Sequence, residues 1–206
     1  MGNRVDYQIE KYVFTEVNES PRIARQWAEV VEECREEKAG SEERLRIALL
    51  NVDYVSSFEL PFRLLLIRTP QLIERLRNEL QLNQKTVLVN DKKRGQVYSL
   101  KADLSQVPDD VRYRFSNRIR RNEAGVEANL LPQIAKQVKD PKQRLKLALE
   151  TGLTVNALDG LFWLGSQRIA ADVSTLRTSG MNITTSEVEV YDDLTATTRT
   201  ISAYRL

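Results

Sequence analysis

The sequence contains no histidine and a single cysteine, Cys34. The first absence removes the commonest metal ligand, the usual general base near neutral pH and every catalytic triad built on imidazole. With one thiol, a zinc site lacks ligands and an internal disulfide cannot form, which fits a reducing compartment. Long apolar runs are missing too. The densest apolar patch, Leu60 to Ile67, is broken by Pro61 and Arg63, far short of the ~20 residues that a membrane-spanning helix needs. The N-terminal MGNRVDYQIEKY has no apolar core of signal-peptide type. Acidic residues fall in mixed-charge helical patterns rather than at ligand-like spacing, as on a solvated helix face. These absences lead us to expect no metal, no cofactor, no enzymatic activity and no membrane partner, and a cytoplasmic location.

What is present is a chain of 206 residues with ordinary apolar content, long enough for one large or two small domains with cores. Its last third is the most legible part. Pro141 starts a helix at the position where a missing N–H costs nothing, and Leu145, Leu147, Ala148 and Leu149 fill it as far as Gly152. Val155, Leu158, Leu161 and Phe162 follow at helical spacing. Gly165 then suits a turn and Ser166 an N-cap. Ile169, Ala170, Val173 and Leu176 line one face of a third helix, which Gly180 stops. Two strands close the segment: one around Val188 and Val190, the other from Thr200 to Leu206, with Asp192 to Ala196 as the turn. Helix, helix, glycine turn, helix, hairpin is the order of a winged helix-turn-helix, whose third helix normally enters the DNA major groove.

The run Gln167-Arg168-Ile169-Ala170-Ala171-Asp172-Val173, continued by Leu176-Arg177 and Gly180, and the closing Ala203-Tyr204-Arg205-Leu206 carry a further likeness. This last third resembles a winged helix-turn-helix family common in bacteriophage genomes. The resemblance implies a DNA-binding protein of phage or mobile-element type, located in the host cytoplasm, without specifying repression, replication or another process. One position departs from the pattern. Asp172 stands where that family usually has arginine, on the outward face of the reading helix. A carboxylate there repels phosphate, although it can accept a hydrogen bond from cytosine N4.

The plan recurs upstream. Glu43-Arg44-Leu45-Arg46-Ile47-Ala48-Leu49-Leu50 is echoed by Gln143-Arg144-Leu145-Lys146-Leu147-Ala148-Leu149-Glu150. Phe58 to Leu66 is again apolar, and Thr69-Pro70 forms an N-cap and N1 pair for a helix bearing Leu72, Ile73, Leu76 and Leu80. Thr86 to Val89 and Gln96 to Leu100 flank the turn from Asn90 to Gly95. We therefore expect a mainly α fold with small β-hairpins (α+β), built as a tandem repeat. Residues 1–40 give an extended segment (Tyr7 to Val17) and an acidic helix begun by Ser20-Pro21, whose inner face is Ile23, Trp27, Val30 and Val31. This helix packs on the first unit or makes a dimer contact. Winged helices follow at 41–103 and 141–206, joined by a helical connector over 104–140. Tandem winged helices are similar, at the level of fold, to plasmid and phage replication initiators.

Charge is distributed unevenly under the net +2. Residues 1–80 hold 12 basic and 15 acidic side chains, and residues 141–206 hold seven of each. Residues 81–121 hold ten basic and four acidic ones. A neutral last unit should bind DNA weakly, because phosphate neutralisation supplies much of the affinity. The basic block comprises the first hairpin and the start of the connector. There Pro108-Asp109-Asp110 reads as a helix start, followed by Arg114, Arg118 and Arg121 at i, i+4 and i+7. Such a stripe serves nucleic acid, or pairs with the acidic N-terminal helix. Later in the connector, Leu130, Leu131, Ile134 and Val138 offer a face for spacing the units or for a homodimer.

The sequence thus predicts a DNA-binding protein acting in transcription regulation or as a replication or recombination accessory. Gln167, Arg168, Ala171 and Thr175 would read bases. Lys92, Lys93 and Arg94, with Arg112, Arg114, Arg118, Arg120 and Arg121, would hold phosphates. A reading of another class also stands: a phage-type inhibitor that uses winged helices as a scaffold for a host protein partner. A third is single-strand binding through the arginines and Tyr113.

Overall fold

The computed structural model describes residues 5–7, 14–16, 20–57, 59–89, 92–107, 113–115, 126–166, 168–192 and 194–206. Two short strands, β1 (Val5–Tyr7) and β2 (Phe14–Glu16), precede helix α1 (Pro21–Glu36). Then come α2 (Ser41–Asn51), β3 (Val55–Ser56), α3 (Leu60–Arg63), α4 (Thr69–Leu80), β4 (Asn83–Val89) and β5 (Lys92–Ser99). Strand β6 (Tyr113–Phe115) and helix α5 (Val126–Gln137) lead to α6 (Pro141–Glu150) and β7 (Val155–Asn156). The short α7 (Ala157–Asp159) runs into a π-helical turn at Gly160–Leu164, and α8 (Ile169–Thr178), β8 (Thr184–Asp192) and β9 (Thr197–Arg205) complete the chain. The architecture is α+β. Among the described residues no helix is long and apolar enough to cross a membrane.

The chain divides into two units. The first comprises Tyr12–Ser116 with Asp193–Thr197, the second Met1–Lys11, Asn117–Asp192 and Thr198–Leu206. In the first, Ser20 caps α1 by accepting a 3.3 Å hydrogen bond from the Ile23 N–H, with Pro21 as its first residue. Ile23, Trp27, Val30 and Cys34 form its buried stripe, and α1 packs on α2. Arg63 lies 4.8 Å over the Trp27 ring. The three-stranded sheet of this unit has the order β3-β5-β4.

The second unit repeats that arrangement. Its sheet runs β1-β8-β9-β7, so a short strand after the first helix again pairs with the last strand of the hairpin. Val55↔Tyr98 and Ser56↔Val97 in one correspond to Val155↔Tyr204 and Asn156↔Ala203 in the other. Through the helices, equivalent residues are 100 positions apart. Leu45 and Leu145, Ala48 and Ala148, Leu49 and Leu149, Leu64 and Leu164, and Leu76 and Leu176 are all buried.

Two polar devices recur at the same offset. The buried Arg44 donates to the carbonyls of Ala39 (2.8 Å) and Leu64 (3.1 Å). Arg144, also buried, donates to those of Val138 (2.6 Å) and Leu164 (3.0 Å). Glu59 accepts the Ser56 N–H at 2.6 Å, as Asp159 accepts that of Asn156 at 3.1 Å. In the first unit Arg44 also donates to the hydroxyl of Thr195 at 3.2 Å.

Several boundaries differ from the sequence expectation. The strands of the first hairpin are longer, because Lys92, Lys93 and Arg94 lie within β5 rather than in a loop. Thr69 does not cap α4. Its hydroxyl donates back to the Leu66 carbonyl at 3.2 Å, and Arg68 is the N-cap. Ser166 likewise stands two residues before the cap of α8, which is Arg168.

The largest correction concerns Arg114. The helix expected from Pro108 does not extend over Tyr113–Phe115, which form β6 and pair with β2 in the register Phe14↔Phe115, Thr15↔Arg114, Glu16↔Tyr113. Aromatics two apart suit the period of a strand, and the strand's partner lies far away in sequence. The helical start at 108–110 and the remaining arginines of the stripe lie outside the described residues.

Helix α5 occupies the later connector, as its pattern suggests. Leu131 and Ile134 are buried, on a helix packed against α6 and the π-helical turn. Leu130 is exposed.

Candidate nucleic-acid interface

Helix α8 divides cleanly into two faces. Ile169, Val173 and Leu176 are buried, at the i, i+4, i+7 spacing of a core stripe. Arg168, Ala171 and Thr175 are exposed, and their spacing of three and four residues places them on one outward stripe. Gln167 lies outside the described residues. The same outward face carries Ser174 and Thr178, both exposed, which the family pattern did not single out. Their signal was available in the spacing, since both fall one turn from Ala171 and Thr175.

The hydrogen bonding around this face is specific. Thr175 and Thr178 each donate a hydroxyl proton to the carbonyl four residues back, Ala171 and Ser174, at 3.0 Å. Asp172, in the first turn, accepts the hydroxyl of Ser166 at 2.5 Å, and Ser166 in turn accepts the Arg168 N–H at 3.3 Å. The acid that departs from the phage-family pattern therefore braces the entry to its own helix, where the helix dipole favours it. Arg177 donates to the Ile183 carbonyl at 3.0 and 2.8 Å and to Thr185 at 2.7 Å. That fastens the end of α8 to β8. Gly180, with a φ of +97°, supplies the left-handed turn between them.

The equivalent helix of the first unit presents different chemistry. Gln71, Glu74, Arg75, Asn78 and Glu79 are exposed on α4, against Ala171, Ser174, Thr175 and Thr178 on α8 and Ser179 at its C-cap. Arg75 pairs with Glu42 at 3.3 Å, and Arg46 forms a two-pronged bond with Glu79. The Arg46 guanidinium holds the Glu79 carboxyl below its ordinary pKa. Charges on α4 are thus matched to α2 within the unit.

The ten basic residues of the 81–121 block fall into three groups. Lys85 donates to the Val107 carbonyl at 2.8 Å, and Lys101 pairs with Asp53 at 2.6 Å; these two serve the fold. Lys92 and Lys93 lie on β5 opposite Val89 and Leu88, and the register shift beside them makes Arg94 the extra residue of a bulge. Arg114 lies on β6. The side chains of these four, and Arg112, Arg118, Arg120 and Arg121 entirely, lie outside the described residues. In the second unit Arg144 is buried, and Arg199 lies 3.5 Å from the buried Asp192. Among the described residues no group of three or more Cys, Asp or Glu side chains is placed to hold a metal ion. Compared with known protein families, curated proteins and solved structures, the chain matches none.

Proposed function

We propose that this chain is a non-enzymatic double-stranded-DNA-binding protein of phage or mobile-element type, made of two tandem winged helices and a helical connector. The observation that carries the reading is the repeated order of helix, short strand, helix, helix and hairpin, with the short strand paired to the last one in both copies. That connectivity is the winged-helix plan, whose third helix is its reading element. Helix α8 fits the role through exposed Arg168, Ala171 and Thr175. Phosphate contacts fall to Lys92, Lys93, Arg94 and the arginines between 112 and 121, which would position the protein while α8 selects.

A fluorescence anisotropy titration tests this. Arg114→Ala with Arg118→Ala should weaken binding to every duplex and flatten the dependence on salt by about one phosphate contact each. Arg168→Ala should reduce discrimination between sequences. Unchanged affinity in the double variant would remove the phosphate assignment, and no binding to any duplex at low salt would end the DNA reading.

Two observations favour a second reading, a phage-type inhibitor or interaction protein. The outer face of α4 carries ion pairs to α2, and residues 141–206 have no net charge. A stable complex with a host protein, formed by a chain that retains no duplex at moderate salt, would select it.

A further inference from the structure

We infer that α8 reads A·T base pairs, by contact with thymine methyl groups. This deepens the DNA-binding reading and rests on it. The described residues of the outward face have few donor protons left to offer. The hydroxyl protons of Thr175 and Thr178 are committed to the carbonyls of Ala171 and Ser174. What those threonines keep for a partner is a methyl group and oxygen lone pairs. Ala171 adds another methyl. Asp172 and Arg177 are engaged with Ser166 and with Ile183 and Thr185. Among the described residues of this stripe, donor protons therefore belong to Arg168, at the helix entry, and to Ser174.

In the major groove guanine offers two acceptors, N7 and O6, and a helix that reads it needs donors. Thymine offers its methyl, and adenine an N6–H donor beside N7. A central face of methyls and acceptor oxygens complements the second pair and leaves the guanine acceptors unanswered. The equivalent face of α4, with the side-chain amides of Gln71 and Asn78, offers more donors by comparison. The two copies of the plan therefore differ in the chemistry of this helix.

The test uses the full chain and three short duplexes at one moderate salt concentration: one of A·T pairs, the same duplex with every thymine replaced by deoxyuridine, and one of G·C pairs. Removing a methyl buried against a methyl should weaken binding by roughly fourfold per contact. The expected order is thymine duplex tightest, deoxyuridine duplex several-fold weaker, G·C duplex weakest. Thr175→Ser removes one protein methyl and keeps the hydroxyl, so its penalty for deoxyuridine should shrink by about that factor, with the circular dichroism spectrum unchanged. Equal affinity for the thymine and deoxyuridine duplexes would overturn the inference while leaving DNA binding intact, even with G·C weaker, because the preference would then arise from groove shape. Absence of binding to all three at low salt would remove both.

Discussion

The two buried arginines hold each unit together from inside. Arg44 and Arg144 are 2% and 3% exposed, and each donates to one backbone carbonyl just before its own helix and to another in the segment before α4 or α8. Replacing either by methionine keeps much of the volume but leaves those carbonyls buried without a donor. We expect Arg44→Met and Arg144→Met each to cost about 2–4 kcal/mol, read by urea denaturation. A loss below ~0.5 kcal/mol would mean that water replaces the guanidinium. Asp53 provides a milder case. The Lys101 ammonium at 2.6 Å lowers its pKa, with further help from Gln26 and Arg22. A carboxyl depressed in the folded state contributes stability above the ordinary aspartate range and loses it as the pH falls through the lowered value. Asp53→Asn should therefore cost less than about 1 kcal/mol at neutral pH and flatten the acid limb of a pH–stability profile.

Among elements, α8 depends on the close approach of Gly160. A β-carbon at that position would lie 2.9 Å from Ile169 Cδ1 and 3.1 Å from Ile169 Cβ, so the first residue of α8 seats directly on the π-helical turn. Gly160→Ala should destabilise the second unit by roughly 1–3 kcal/mol, visible as a lowered Tm; an unchanged Tm would show that the helix entry can shift at no cost. The helices themselves were legible because apolar periodicity and Pro signals act locally, as at Ser20-Pro21 and Pro141. Caps at Thr69 and Ser166 were misplaced because a hydroxyl that suits a cap can equally bond a nearby carbonyl or carboxylate, and those partners depend on tertiary packing. Strand β6 was invisible for a stronger reason. Arg114, Arg118 and Arg121 fit a helical period in the sequence, and the pairing of β6 with β2 joins segments from opposite ends of the first unit.

For the whole molecule, the repeat extends well beyond the eight residues that first showed it. Positions fixed by burial kept their character at the offset of 100 residues, including both arginines and the carboxylates Glu59 and Asp159. Exposed positions diverged, as at Gln71 and Ala171 or Arg75 and Thr175, so an alignment weighted evenly over all positions would miss the relation. The candidate reading stripe was legible as far as Arg168, Ala171 and Thr175. The bonds that remove donors from its threonines were not, since they depend on rotamers. The two arginine bridges carry one more consequence, for the order of assembly. Each spans 20 residues, a closure that costs little chain entropy, whereas β3 and β7 must await the last strand of their hairpins. Helices α2 and α6 should thus form the slow-exchanging nucleus of their units, and amides of Val55 and Val155 should exchange with solvent sooner than those of Leu49 and Leu149. Hydrogen exchange followed by NMR would reveal that order, and the reverse order would mean that the sheets, not the arginine bridges, organise folding.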